Sequence, residues 1–355
     1  MENAGSAENA AIAVSGLHKT YGDKVVLDGI GFEVAPGSVF SMLGPNGAGK
    51  TTTVNILTTL MKADAGTVRV AGYDVATHTK QVRSAIGVTG QFAAVDELLT
   101  GRENLRMMAD LKRVRPAGEL VSQLLERFEL TEAADKQAST FSGGMRRKLD
   151  LAMTLVGSPS IIFLDEPTTG LDPRSRRTMW EIVRELVAEG TTIFLTTQYL
   201  DEADQLADQI AVLDGGRIVA QGTAEELKRQ IPGTHVRLKF ATAAELDSAA
   251  RILDGATRDE SELSLRVPSD GTSRSLRALL GRLDEHSIDS EEFSVHTPDL
   301  DDVFLALTGH ATTDSAANTD SAANTDSAAN TDSAANTDSA ANTVTTVTTA
   351  TTEGN

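Results

Sequence analysis

The sequence predicts an α/β protein, and two features of residues 11 to about 230 carry that prediction. Apolar runs at residues 86–89, 161–164 and 191–195 are typical of strands buried on both faces of a sheet. Between the last two runs, apolar residues recur along one helix face, namely Met179, Ile182, Val183, Leu186 and Val187. Strands that alternate with helices in this way favour an α/β domain.

The remaining elements of this region follow from similar patterns. Residues 25–27 and 32–34 predict two early strands, and residues 39–43 predict a short buried strand followed by a helix over 51–60. Residues 210–213 and 217–219 flank Asp214-Gly215, which predicts a hairpin. A further helix is expected from residue 143 to about residue 156.

The strongest single motif is a glycine-rich loop at residues 44–51. It fits the nucleotide-phosphate pattern of Gly, four residues, then Gly-Lys-Ser/Thr, and it stands between a strand and a helix. Glycine allows close backbone approach and positive φ, while the loop N–H groups and the helix N-terminus attract anions. Lys50 is expected to reach the β- and γ-phosphates and Thr51 to ligate Mg²⁺. The predicted nucleotide-binding residues here are Gly44, Pro45, Asn46, Gly47, Ala48, Gly49, Lys50, Thr51 and Thr52. This loop alone does not separate a GTPase, a kinase and a transporter motor.

Two further motifs narrow the chemistry. The buried run 160–164 ends in Asp165 and Glu166, which predicts a carboxylate for Mg²⁺ and a general base for the attacking water. Ser142-Gly143-Gly144 opens another helix and therefore offers a second anion-binding N-terminus. One chain does not need two such sites for one nucleotide. We therefore expect two copies to face each other, with Ser142 and Gly144 of one copy closing over the γ-phosphate held by the other.

In their order and spacing, the phosphate loop, the Ser-Gly-Gly motif and Leu-Asp-Glu-Pro resemble those of an ATP-binding-cassette (ABC) ATPase over residues 11 to 230. The resemblance implies a P-loop NTPase fold and roles for three more residues and one loop. Tyr21 would stack on adenine, and Gln91 would touch the metal and the attacking water. Asp172 would cross the dimer interface, and the loop around residues 92–99 would meet a membrane partner.

Two positions depart from the family pattern. Phe141 and Met145 replace the ends of Leu-Ser-Gly-Gly-Gln, which leaves the phosphate-contacting positions intact. Gln198 stands where the family usually has a histidine that bonds the γ-phosphate. Glutamine can donate a hydrogen bond but carries no positive charge, so we expect Gln198 to sense phosphate with slower or differently coupled hydrolysis. Residues 90–97, 99–105, 197–203 and 298–309 resemble the daunorubicin/doxorubicin-resistance type of ATP-binding subunit.

The C-terminal part of the chain divides into two segments. Residues 232–309 predict a small α+β domain with a ferredoxin-like βαββαβ order, closed by a helix at Leu300, Val303, Phe304 and Leu307 that would pack on its own domain. Residues 310–355 contain five repeats of Asp-Ser-Ala-Ala-Asn-Thr, too poor in apolar residues for a core, and predict a disordered tail. Residues 1–10 predict a flexible, acidic N-terminus without a signal peptide.

Composition limits the classes of function. The chain has 355 residues, no cysteine and a net charge of −19, and no apolar run approaches the roughly 18 residues of a membrane span. Such acidity disfavours nucleic acid as a partner, and either a solubility bias or a salty cytoplasm would explain it. The prediction is an ATP-hydrolysing homodimer at the cytoplasmic face of the membrane, bound to a separate permease and exporting drug-like compounds. Alternatives are a soluble ABC ATPase without a permease, the motor of an uptake transporter, and a catalytically weak regulatory subunit.

Overall fold

The computed structural model describes residues 10–91, 93–230, 235–269, 272–296 and 299–309. The predictions for residues 1–9, for Phe92, for the break at Pro232-Gly233 and for the repeat tail 310–355 lie outside these residues and stay predictions. Within the described ranges, no helix is both long and apolar enough to cross a membrane.

A six-stranded sheet forms the centre of the larger core. It contains β3 (Val39–Leu43), β6 (Ile86–Thr89), β7 (Ile161–Asp165), β8 (Thr192–Thr197), β9 (Gln209–Asp214) and β10 (Arg217–Gly222). Their order is β10-β9-β3-β8-β7-β6, parallel except for the hairpin strand β10. Every residue of β3, β7 and β8 is buried, which explains why these strands are continuous apolar runs without alternation.

Helices cover this sheet, and the carboxyl ends of its strands meet at one edge. The helices are α1 (Lys50–Leu57), α2 (Thr79–Ala85), α3 (Gly101–Lys112), α4 (Ala117–Arg127), α5 (Gly143–Leu155), α6 (Pro173–Ala188), α7 (Leu200–Leu206) and α8 (Ala224–Gln230). Short 3₁₀ turns at Thr131–Ala133 and Ala138–Thr140 precede α5. Because β3, β7 and β8 are adjacent and parallel, the segments that follow them lie side by side at that edge.

A four-stranded antiparallel sheet packs against the first. It is built from β1 (Ile12–Tyr21), β2 (Lys24–Val34), β4 (Ala65–Val70) and β5 (Tyr73–Asp74) in the order β2-β1-β4-β5. The prediction of two separate early strands was wrong, since residues 24–34 form one strand. Pairing with β1 continues through the glycine-containing stretch 28–31 between the two apolar runs, with irregularities that the local apolar pattern does not reveal.

Residues 235–296 surround a second, smaller core. It contains β11 (His235–Lys239), α9 (Ala243–Ile252), β12 (Thr257–Asp259), β13 (Ser264–Pro268), α10 (Ser273–Glu285) and β14 (Glu292–His296). The antiparallel sheet has the order β12-β13-β11-β14. Its buried residues, among them Val236, Leu238 and Leu265, form a cluster of their own.

The final helix, α11 (Leu300–Thr308), does not pack where the sequence led us to expect. Its apolar residues Leu300, Val303 and Phe304 join a cluster with Leu200 and Leu227 of α7 and α8, which belongs to the ATPase region. The apolar spacing of the helix was read correctly, but the expectation that it packs on the 232–309 unit was wrong. Periodicity defines the apolar face of a helix and does not identify the surface that covers it.

Candidate functional site

The glycine-rich loop links β3 to α1 at the carboxyl edge of the sheet, and its glycines are needed for different physical reasons. Gly47 has φ of 83° with no atom near its missing Cβ, whereas Gly49 has φ of 114° and caps α1. At Gly44 a Cβ would lie 2.2 Å from the carbonyl oxygen of Leu213. The loop therefore combines positive φ with close packing onto β9, and both require glycine.

Lys50 is the first residue of α1, and its ammonium group is almost fully enclosed, with 4% of the residue exposed. Its Nζ donates to the carbonyl oxygens of Gly44 at 2.7 Å and Pro45 at 3.2 Å. It also lies 3.3 Å from Glu166 Oε1. Burial lowers the pKa of Lys50, and the nearby carboxylates of Glu166 and Asp165 oppose that shift. A cation held at the base of the loop is suited to bind phosphate oxygens.

Asp165 and Glu166 are brought to the same place by β7. Asp165 ends the strand, is 5% exposed, and accepts a hydrogen bond of 2.5 Å from Thr196 Oγ1 of β8. Glu166 has a positive φ of 49°, an unfavourable conformation for a residue with a side chain. Its N–H donates to the Thr196 carbonyl oxygen at 3.1 Å, which holds this turn. Strained backbone of this kind is concentrated at functional sites.

Gln91 completes the group around Glu166. Its Nε2 donates to Glu166 Oε2 at 3.4 Å, and Thr169 Oγ1 donates to the same oxygen at 3.4 Å. The structure therefore brings Lys50, Gln91, Asp165 and Glu166 together from three segments that are far apart in sequence. Gln198 directly follows β8, where the carbonyl oxygen of Thr197 accepts from the N–H of Gly44.

The other predicted residues form a separate group. Ser142 caps α5, and its Oγ accepts from the Met145 N–H at 3.2 Å. Asp172 caps α6 and accepts from Ser175, the residue on which Gly144 packs. In the part of the chain that the structure describes, no hydrogen bond or ion pair joins this group to the phosphate loop. The two helix N-termini thus belong to different sites of one chain.

Tyr21 is the last residue of β1. It is 48% exposed, its hydroxyl donates to Met61 Sδ at 2.9 Å, and Lys19 Nζ lies 5.7 Å from the ring centre. The ring is thus held at its edge while one face is accessible. Its assignment to adenine stays a prediction.

Sequence reasoning missed two residues that organise the site. Thr196 was not singled out, yet its hydroxyl and carbonyl hold Asp165 and Glu166. Arg147 was not singled out, although its guanidinium reaches the carbonyl oxygens of Asp165 and Pro167. The available signal was weak, because Arg147 is the middle one of three consecutive basic residues and only Asp150 stands alone between apolar residues of α5.

Comparison with known proteins places this arrangement in a family. The ABC transporter family model matches residues 27–169. The chain is 47% identical over 314 residues to the daunorubicin resistance ATP-binding protein DrrA2 of Streptomyces coeruleorubidus, covering 86% of this chain and 98% of that protein. It is 42% identical over 318 residues to the doxorubicin resistance ATP-binding protein DrrA of Mycobacterium tuberculosis, covering 86% and 96%.

Solved structures agree with the sequence relatives. An ATP-binding subunit of an ABC transporter aligns with 30% identity and a TM-score of 0.57, over 62% of this chain and 92% of its own. An ABC transporter cassette in its ADP conformation aligns with 28% identity and a TM-score of 0.55, over 61% and 92%. The fold and site define a P-loop ATPase of the ATP-binding-cassette type. The chain belongs to the ABC transporter ATP-binding family, whose members bind ATP and are ATPases. The predicted P-loop NTPase fold and the resemblance to the daunorubicin/doxorubicin-resistance type are confirmed.

Proposed function

We propose that two copies of this chain bind and hydrolyse ATP to energise a membrane-bound exporter of drug-like compounds. The observation that carries the proposal is the cluster of Lys50, Gln91 and Glu166 at the phosphate loop. Ser142 and Gly143 are exposed at the start of α5, where a second copy would contact them. The relatives named for daunorubicin and doxorubicin resistance support the drug class.

The residues around the loop suit a magnesium nucleotide. Thr51 offers a hydroxyl on the first turn of α1, and Asp165 offers a carboxylate whose other contact is Thr196. Mg²⁺ prefers few protein oxygen ligands and completes its shell with phosphate and water, so this small oxygen set fits it. The ion would neutralise charge on the phosphates. Tyr21 would provide a stacking surface for the base, and Thr52 a further N–H at the start of the helix.

Hydrolysis would use the geometry around Glu166. Its carboxylate would take the proton of the attacking water, while Gln91, 3.4 Å away, would orient that water. An incoming γ-phosphate competes with Glu166 for Lys50, which would release the carboxylate for this role. Gln198 would donate a hydrogen bond to the γ-phosphate. Ser142, Gly143, Gly144 and Asp172 of the second copy would complete the pocket.

A groove beside the Gln91 loop is the surface we assign to the permease. Its volume is about 420 Å³, and its lining includes three methionines, other apolar residues and three charged ones, namely Met107, Met108, Met153, Leu60, Ile86, Val88, Ala94, Arg83, Lys112 and Asp150. Methionine adapts to irregular partner surfaces, and the groove adjoins the loop that holds Gln91. Any movement of that loop would therefore be transmitted to a permease segment bound in the groove. This contact would place the chain at the cytoplasmic face of the membrane.

The decisive experiment combines binding and turnover. With Mg²⁺ and ATP, the Glu166→Gln variant should accumulate as a dimer in light scattering, while the wild-type chain dimerises transiently and releases phosphate. A Glu166→Gln variant that stays monomeric even with the permease present, or that hydrolyses ATP at the wild-type rate, would contradict the proposal.

Permease docking has its own test. Met107→Glu should abolish copurification with the cognate permease and remove drug export from cells, because it places a carboxylate among the apolar residues that a permease segment would cover. Val219→Glu is the matched control, since Val219 is 40% exposed on β10 outside the groove. Equal copurification of both variants would show that the permease docks elsewhere.

A further inference from the structure

A buried polar face runs along α5, the helix that begins beside Ser142. Arg147, Asp150 and Thr154 lie about one turn apart along the helix and are 6%, 2% and 7% exposed. Burying a guanidinium and a carboxylate costs free energy unless both find partners with good geometry. The partners of this face are therefore informative.

Arg147 holds the backbone next to both catalytic side chains. Its Nη1 donates to the carbonyl oxygen of Gly90 at 2.6 Å, immediately before Gln91. Its Nε donates to Pro167 O at 2.8 Å and its Nη2 to Asp165 O at 3.4 Å, on either side of Glu166. One planar group thus joins three segments of the chain.

Asp150 and Thr154 bind the segment that carries Gln91 at two further positions. Asp150 Oδ1 accepts from the N–H of Ala94 at 3.0 Å, and its Oδ2 lies 3.5 Å from Arg147 Nη1. Thr154 Oγ1 shares a 2.9 Å hydrogen bond with Thr89 Oγ1. The loop that carries Gln91 is therefore bound to α5 both before and after Gln91.

We propose that Arg147 is a positioning residue that sets the distance between Gln91 and Glu166 and ties both to the helix that serves the partner's nucleotide. The proposal rests on the function proposed above. Arginine suits the role because its fork presents five donors from three nitrogens in a fixed plane, whereas the three donors of lysine radiate from a single nitrogen. Displacing a catalytic group by about 1 Å can cost about 100-fold in rate, so small changes at Arg147 should be visible.

The first test compares two variants with a matched control on the same helix. Arg147→Met keeps the apolar stem, Arg147→Lys keeps the charge, and Lys148→Met removes the neighbouring cation, which pairs with Glu129 on the surface. Turnover at saturating ATP and Mg²⁺ should fall at least 10-fold in both Arg147 variants, with ATP affinity changed less than 3-fold. Lys148→Met should keep turnover and ATP affinity within 2-fold of the wild-type values. Wild-type turnover in a folded Arg147→Lys variant would overturn the proposal.

The second test asks whether Arg147 acts on the catalytic turn of its own chain. Differently tagged chains are mixed so that one Glu166→Gln substitution leaves a single competent site. When the competent chain carries Arg147→Met, turnover should fall at least 10-fold. When Arg147→Met is placed on the Glu166→Gln chain instead, turnover should match that of the dimer carrying Glu166→Gln alone. The reverse pattern would refute positioning within the chain. Absence of turnover in wild type and Lys148→Met would instead refute the proposed function.

Discussion

Gly144→Ala is a perturbation whose cost can be worked from the structure. An ideal Cβ at Gly144 would lie 2.6 Å from Ser175 Oγ and 3.1 Å from Ser175 Cβ, against an ordinary contact distance of at least 3.4 Å. The Oγ could rotate away only by giving up its 2.5 Å hydrogen bond to Asp172 Oδ1, which orders the start of α6. The Cβ contact would still force α5 and α6 apart by a few tenths of an ångström.

Overpacking of this kind costs about 1–3 kcal/mol. We therefore expect Gly144→Ala to lower the free energy of unfolding by about 2 kcal/mol in urea titrations. Ser175→Ala removes the closer clash, so in that background the cost should shrink by about 1 kcal/mol, seen as coupling in a double-mutant cycle. No coupling, or no destabilisation, would refute the packing argument.

Gly143→Ala is the matched control for this prediction. Its Cβ would meet only Leu171 Cδ2, at 4.0 Å, so unfolding should change by less than about 0.5 kcal/mol. Loss of ATPase activity in this stable variant would report contact with the partner's nucleotide instead of damage to the fold. Comparing the two glycines separates packing within the chain from function between chains.

Three more predictions follow from the site. Glu166→Gln should lower turnover by about 10²–10⁴, as expected for loss of a general base, with ATP binding measured by fluorescence retained. Gln198→His should raise turnover by adding a group that can carry positive charge, and unchanged kinetics would count against a sensor role. Burial raises the pKa of Asp150 to about 6, so between pH 4 and 6 the folded chain holds a proton that the unfolded chain has released. Stability from this group should therefore fall as pH rises through that window, and urea titrations of Asp150→Asn should lack that loss, which amounts to about 3 kcal/mol. If the difference in free energy of unfolding between Asp150→Asn and wild type is constant with pH, the raised pKa of Asp150 is contradicted.

Local pattern was enough for the parts of the site that are contiguous in sequence. The spacing of Gly44, Gly47, Gly49 and Lys50 identified the phosphate loop because the motif is one turn of backbone between a strand and a helix. The Asp165-Glu166 pair could be recognised for the same reason, since it ends a buried strand. The order βαββαβ of residues 235–296 also followed from alternation and helical spacing.

Contacts between distant segments could not be read in this way. The two strands predicted within residues 24–34 form the single strand β2, because its pairing with β1 continues between the two apolar runs. Thr196 and Arg147 escaped notice because their importance lies in carbonyl and carboxylate partners from other strands and loops. Every residue has a backbone carbonyl, so no sequence pattern identifies which carbonyl accepts a given side-chain hydrogen bond.

The amino-acid sequence was therefore sufficient to indicate a nucleotide-binding α/β ATPase and to predict its phosphate loop and carboxylates. Those features depend on neighbouring residues, whose geometry is limited by local sterics. The packing of α11 on α7 and α8, and the direct contacts of Glu166 with Lys50 and Gln91, were decided only by strand order and burial in the folded molecule. The hydrophobic effect is non-directional, so it favours burial of an apolar face against any other apolar surface. The whole fold therefore determines which surface covers each face.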